Sequence, residues 1–188
     1  MEKIKELRKL FKTFNIDGYI IPKNNNFFGE YVSASEDNLK HISNFTGSAG
    51  FAVILKNKNY MFVDGRYTIQ AGIQCGGQFQ ICTIPKEYPF NIFKKKKLKL
   101  GFDPKLHTEN SLNRLFDNKF IKLKPVSENL IDLLWKREKS PNIKSFYLIK
   151  DKDAGLKVEK KLAKLVELIK FNKVDYLFTT ASENVAWL

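Results

Sequence analysis

Asp64-Gly65-Arg66-Tyr67 gathers an acid, a flexible residue, a guanidinium and a phenol directly after the apolar run Tyr60–Val63. A guanidinium leaving a strand end can hold the carboxylate of a substrate or partner through two parallel hydrogen bonds. The same residues also suit a structural role, in which Asp64 caps the following helix and Arg66 pairs with a nearby carboxylate. Both readings stay open on sequence, so Arg66, Asp64 and Tyr67 stand as the substrate-cleft candidates. Ser48 superficially resembles a nucleophile, but Gly47-Ser48-Ala49-Gly50 lacks one spacer of the GxSxG elbow and precedes a strand instead of following one. Phe45, Thr46, Gly47, Ser48 and Gly50 therefore read as a structural motif, a tight turn of small residues. His41 and His107 are the only histidines, and neither stands in a recognisable frame with a nucleophile. There is no GxxxxGK[ST], no GxGxxG after a strand, no HExxH and no paired CxxC. A catalytic metal needs three or more converging ligands, and nothing here spaces them. No catalytic residue, metal ligand or cofactor is expected within this chain.

Positioning the candidates requires a folded core, and the composition provides for one. The chain has 188 residues, 43% of them apolar and 28% charged, which excludes a disordered polar chain and allows one full core plus a remainder. Its 33 Lys+Arg against 20 Asp+Glu give a net charge of +13. Only Arg8, Arg66, Arg114 and Arg137 are arginines, whereas reading of guanine and phosphate by paired bonds favours Arg. The lysine excess thus looks like codon bias with solvated lysines, and Lys94–Lys97 looks like a solvated loop. No apolar run approaches the roughly 20 residues of a membrane helix, and the N-terminus lacks the apolar core of a signal peptide. The expectation is a soluble, cytoplasmic protein in which Cys75 and Cys82 are reduced thiols.

Hydrophobic spacing then sets the elements. Ile4, Leu7, Leu10, Phe11 and Phe14 predict an opening amphipathic helix, and Tyr19-Ile-Ile21 a buried strand. A long loop from Lys23 to Asp37 carries Phe27, Phe28 and Tyr31, which something should cover. A short helix over 37–43 and the small-residue turn lead into a hairpin of Phe51–Leu55 and Tyr60–Val63. A helix through Tyr67, Ile69 and Ile73 follows, ended by Gly76-Gly77. Strands at 79–84, 98–102 and 120–123, a helix around Leu112 and Phe116, and a capped helix over 127–135 complete an α/β domain with a mixed sheet and flanking helices.

Beyond Pro141 the pattern restarts. Val158, Leu162, Leu165, Val166 and Ile169 predict a second amphipathic helix, and Asn172-Lys-Val-Asp-Tyr-Leu-Phe178 echoes Asn15-Ile-Asp-Gly-Tyr-Ile-Ile21, Asn15 meeting Asn172 and Tyr19 meeting Tyr176. The repeat points to a divergent internal duplication. It would make residues 1–142 a first domain and residues 143–188 the truncated beginning of a second, related one.

Asn44-Phe-Thr-Gly-Ser-Ala-Gly50, Asp64-Gly-Arg-Tyr67 with Gln70-Ala71, Gly101-Phe-Asp-Pro104 and Asn129-Leu-Ile-Asp-Leu-Leu-Trp135 resemble, in order and spacing, the N-terminal region of three-domain Xaa-Pro aminopeptidases. These are the aminopeptidase P proteins of the M24 metallopeptidase, or creatinase/prolidase, family. Ser182-Glu-Asn-Val-Ala-Trp-Leu188 resembles the family's second-domain Asp-(Ile/Val)-Ala-Trp-Leu segment, with Asn184 at the usual Asp. The resemblance implies a creatinase/prolidase N-terminal domain-like fold, the start of a second similar domain, and an absent catalytic domain. That absent domain would hold a dinuclear Mn²⁺ or similar divalent centre on two Asp, one His and two Glu. On this reading the chain is the non-catalytic portion of a hydrolase that releases the residue preceding proline, inactive alone, shaping the substrate cleft and oligomer contacts. Its partners would be the remainder of the second domain, the catalytic domain, a peptide with proline at the second position, and a second copy in a homodimer. The other reading is a retained non-enzymatic binding module, either a stand-alone interaction domain or a basic nucleic-acid binder, the latter marked by salt-sensitive polyanion binding.

Overall fold

The computed structural model describes residues 2–29, 31–137, 145 and 147–188. It divides into two compact units, Met1–Lys139 and Ser140–Leu188. The expected boundary near Pro141 lies outside the described residues.

In the first unit, apolar runs too short for helices become strands, and the central ones are covered on both faces. β1 (Gly18–Pro22), β2 (Phe51–Leu55), β3 (Asn59–Asp64), β4 (Gln80–Ile84), β5 (Leu98–Phe102) and β6 (Ile121–Pro125) form one sheet in the order β4-β3-β2-β1-β5-β6. β2 runs antiparallel to β1 and β3, while β1 with β5, β5 with β6, and β3 with β4 pair in parallel. Alternate residues face opposite layers. Tyr19, Ile21, Ala52, Ile54, Met61 and Val63 join one core cluster with Ile4, Leu7 and Phe11 of α1 (Glu2–Thr13) and Leu39 and Ile42 of α2 (Asn38–Ser43). Ala71 of α3 (Thr68–Gln74) belongs to the same layer. Ile20, Val53, Phe62 and Leu100 pack on the other face with Phe93, just past α4 (Pro89–Ile92), and with Leu112 and Phe116 of α5 (Glu109–Phe116).

The capped helix expected over 127–135 is instead a series of turns. Three-residue bonds, Asp132 N–H to Asn129 O at 3.1 Å and Leu134 N–H to Ile131 O at 3.0 Å, alternate with four-residue bonds from Leu133 N–H to Asn129 O at 3.3 Å and from Trp135 N–H to Ile131 O at 2.8 Å, so single turns form without running on into a continuous α-helix. The Asn129 side chain also takes the Ile131 N–H at 2.9 Å, a local bond that competes with helix. Phe27 and Tyr31 are 75% and 88% exposed, so among the described residues nothing covers these two rings of the long loop. Asn25 holds that loop from beneath, its Oδ1 accepting from Phe27 N–H at 3.1 Å and Gly29 N–H at 3.2 Å.

The second unit contains α6 (Asp151–Ala154), α7 (Val158–Phe171) and α8 (Ser182–Trp187). α7 ends as α1 ends. Asn15 and Lys173 both have positive φ, 49° and 54°, and Ile16 N–H reaches back to Phe11 O at 3.0 Å as Val174 N–H does to Ile169 O at 3.2 Å. Both are Schellman endings, in which the residue after a left-handed one bonds five positions back. They pair Asn15 with Lys173 and Asp17 with Asp175, one position away from the alignment that matched Asn15 to Asn172. Residues 174–178 are not a strand. A strand is defined by its ladder, and no described segment pairs with this one; Tyr176 and Phe178 are 91% and 89% exposed.

Candidate functional site

The carboxyl ends of β1, β3, β4, β5 and β6 and the amino end of β2 share one edge of the sheet, so loops 23–37, 45–50, 64–67, 103–108 and 126–137 all emerge there. That edge is where open α/β sheets present ligand-binding groups.

β3 delivers Asp64. Its Oδ1 accepts from the Arg66 N–H at 2.9 Å and from Nε at 3.1 Å, and Oδ2 accepts from Nη2 at 2.8 Å. The Arg66 guanidinium thereby holds the Asp64 carboxyl below the ordinary carboxylate range. Arg66 also lies 5.2 Å from the Tyr67 ring centroid. The Tyr67 hydroxyl and Ser48 Oγ are 2.8 Å apart, and the Ser48 hydrogen bond lowers the phenol's pKa. Phe45 meets the Tyr67 ring edge-on at 5.8 Å. Thr46 N–H donates to Gln74 Oε1 at 2.9 Å, while Thr46 Oγ1 accepts from Gln70 Nε2 at 2.9 Å and Gln74 Nε2 at 2.8 Å. Loop 45–50 is thus stitched to α3.

The structure brings Asp64, Arg66, Tyr67, Thr46 and Ser48 to one place. It does not make Asp64 the cap of α3, because Tyr67 occupies that position without a side-chain cap bond. With its side chain 72% exposed, Arg66 contributes little to folding through its ion pair. An Arg66→Ala chain is expected to keep its unfolding free energy within about 1 kcal/mol of the parent, measured by urea titration; a larger loss would make Arg66 a structural residue.

A wider polar cleft of about 690 Å³ lies along the same edge, with Asn24, Asn25, Asp103, Asn129, Asp132 and Arg137 in its wall. Asp103 is 8% exposed, and its carboxylate accepts from Lys105 N–H and Asn129 Nδ2, each at 2.9 Å. Arg137 straps this wall down, donating to Asn38 Oδ1 at 2.9 Å and also to Ser35 O and Asp132. Sequence reasoning quoted Asp103 and Asn129 without giving them a role. For Asp103 the available signal was a polar residue placed directly after the strand-like run 98–102; Asn129, four positions past β6, carried none.

Ser48 and His107 line a smaller cleft of about 240 Å³, but no hydrogen bond joins them among the described residues. Burial pushes His107 and His41 each down to about 4, and His41 stacks on Trp135 with ring centroids 4.1 Å apart. Cys75 and Cys82 are buried free thiols, pushed up to about 11 and about 12 by desolvation. Among the described residues no three His, Cys, Asp or Glu side chains converge as a metal site, so these residues do not fit a dinuclear metal centre. No helix among them is long and apolar enough to cross a membrane.

Residues 3–133 match the model of the creatinase/prolidase N-terminal domain. A probable Xaa-Pro aminopeptidase P of Coprinopsis cinerea is 33% identical over 97% of this chain, which covers 31% of that protein. The X-prolyl aminopeptidase of Caenorhabditis elegans, described as a cytosolic enzyme with a di-nuclear active site, superposes with a TM-score of 0.80 at 24% identity. That match covers 99% of this chain and 33% of the other. An Xaa-Pro dipeptidase of Bacillus anthracis gives a TM-score of 0.55 at 28% identity over 71% of this chain and 35% of its own. The chain therefore spans about a third of the length of the relatives it matches.

Proposed function

Because the chain belongs to the creatinase/prolidase N-terminal domain family, we propose that it is the non-catalytic N-terminal portion of a metal-dependent Xaa-Pro aminopeptidase. The observation that carries this reading is the match over 97% of the chain to a protein about three times as long. In the intact protein, the di-nuclear centre and the hydrolysis of the bond before proline belong to the remaining chain. The part played by this chain is to present the carboxyl edge of its sheet to the peptide. Arg66, bonded to Asp64 through Nε and Nη2 and flanked by Tyr67, is with them the substrate-cleft candidate on that edge. Homodimer contacts and a cytoplasmic location, the latter supported by the cytosolic C. elegans relative, belong to the same proposal.

Purified alone, the chain is expected not to release the N-terminal residue of a peptide with proline second, with or without added Mn²⁺. Metal-dependent turnover that co-purifies with it would overturn the assignment.

Residues 143–188 are proposed to open a second, related domain. Leu162, Phe171, Tyr176 and Phe178 expose apolar surface that in the first unit would lie against strands, as Ile4, Phe11 and Ile20 do. A helix without such strands has little to resist opening. Amide hydrogen exchange is expected to protect residues 2–137 as one unit while α7 and the residues after it exchange faster. Equal protection in both regions at every protein concentration would remove the boundary.

A further inference from the structure

The opposite edge of the sheet, where β2 ends and β5 begins, carries a second concentration of charge. The β2–β3 turn contributes Lys56 and Lys58, and the loop entering β5 contributes Lys94–Lys97. β2 and β5 both flank β1, so the two lysine segments come together there. Between them opens a concavity of about 400 Å³ walled by Lys56, Lys58, Lys96 and Lys97 over Leu55 and Leu98.

Among the described residues Asp17 is the one carboxylate in this wall, and it is already engaged. Its Oδ1 accepts from Lys56 Nζ at 2.7 Å and its Oδ2 from Lys99 N–H at 3.0 Å. Lys58 and Lys96 lie 5.3 and 5.7 Å from the Tyr60 ring centroid, and Lys96 donates to the Tyr60 hydroxyl at 3.3 Å. No ion pair among the described residues involves Lys58, Lys96 or Lys97. Three uncompensated ammonium groups around one opening repel one another and focus a positive potential into it, a cost that an anion bound there removes.

The chemistry of the wall narrows the anion. Lysine ammonium groups act as compact point charges, suited to phosphate oxygens without demanding a planar partner. Tyr60 and Phe93, the rings beneath the lysines, are 2% and 0% exposed. They offer no face on which a nucleic-acid base could stack. We propose that this concavity binds a soluble oligophosphate, an inorganic phosphate chain of about three units, one for each uncompensated lysine. The site lies at the sheet edge opposite Asp64 and Arg66 and is independent of the peptidase assignment.

Calorimetric titration of the full chain with inorganic tripolyphosphate tests this. Binding is expected at low salt, weakening as salt rises because counterions are released. The triple reversal Lys58→Glu/Lys96→Glu/Lys97→Glu should weaken it by about tenfold or more, whereas Lys160→Glu/Lys164→Glu/Lys170→Glu, exposed positions of α7 with the same change in net charge, should leave it within about twofold. Lys58→Gln/Lys97→Gln removes no side-chain hydrogen bond and should still weaken binding measurably while the melting temperature holds. No binding at low salt, equal losses in the two triples, an unchanged affinity in the glutamine variant, or tighter binding of single-stranded DNA than of tripolyphosphate would each overturn the proposal.

Discussion

An Asp37→Ala chain is expected to lose about 3–5 kcal/mol of stability, a large part of what holds a domain of this size together. Asp37 does two things at the end of the long loop. Its Oδ1 accepts the Lys40 N–H at 3.0 Å, which caps α2, and Oδ2 pairs with the Lys23 ammonium, the two side chains being 7% and 10% exposed. Loss of the cap alone costs about 1 kcal/mol. The larger penalty comes from Lys23, whose charge would stay buried without its counter-ion. Asp37→Asn keeps a capping oxygen but not the charge, so it should fall between Ala and the parent. Lys23→Met combined with Asp37→Asn should recover part of the loss, because no unpaired charge then remains. Urea unfolding reads all three as shifts in midpoint at constant slope. A penalty for Asp37→Ala no greater than that of a lost cap would show that the pair contributes nothing.

That ion pair also marks where sequence reading stopped. Lys23 and Asp37 looked like two ends of a polar loop, since a lysine and an aspartate separated by 14 positions carry no periodic signal. Their meeting depends on β1 turning back against α2. The strands were legible because Tyr19–Ile21, Phe51–Leu55 and Tyr60–Val63 are continuous apolar runs between turn residues, and coverage of both faces needs nothing more. The stretch 127–135 was misread as helix because its leucines fall at helical spacing, while Asn129 spends its side chain on a local backbone bond. The polar cleft was illegible for a related reason. Asp103 comes from the loop after β5 and Asn129 and Arg137 from the loop after β6, and they converge only through the order of β1, β5 and β6. Asp64, Arg66 and Tyr67, by contrast, are adjacent in sequence, and their grouping survives folding.

A Gly47→Val chain should be destabilised by at least about 2 kcal/mol, because the added side chain would have to enter an already filled space. A Cβ at Gly47 would fall 2.3 Å from Phe45 Cζ and 2.9 Å from Tyr67 Cδ1. Phe45 is fully buried, so it can yield only by displacing the core around it. Gly50 adds a backbone requirement. Its φ of 151° is one that side-chain-bearing residues rarely adopt, and its Cβ would lie 2.9 Å from Phe62 O. Gly50→Val is therefore expected to lose a comparable amount through strain plus contact. Gly72 of α3 supplies the control: a Cβ there meets nothing within 4 Å, and Gly72→Ala should gain up to about 1 kcal/mol from helix propensity. Melting temperatures that fell for the first two variants and rose for the third would tie the cost to these contacts; three equal values would remove it. The effect reaches the candidate site because Thr46 and Ser48 flank Gly47 and carry the bonds to Gln70, Gln74 and Tyr67. Glycine at this position lets the loop lie close enough for Ser48 to reach the Tyr67 hydroxyl, and so sets the ring against which Arg66 rests.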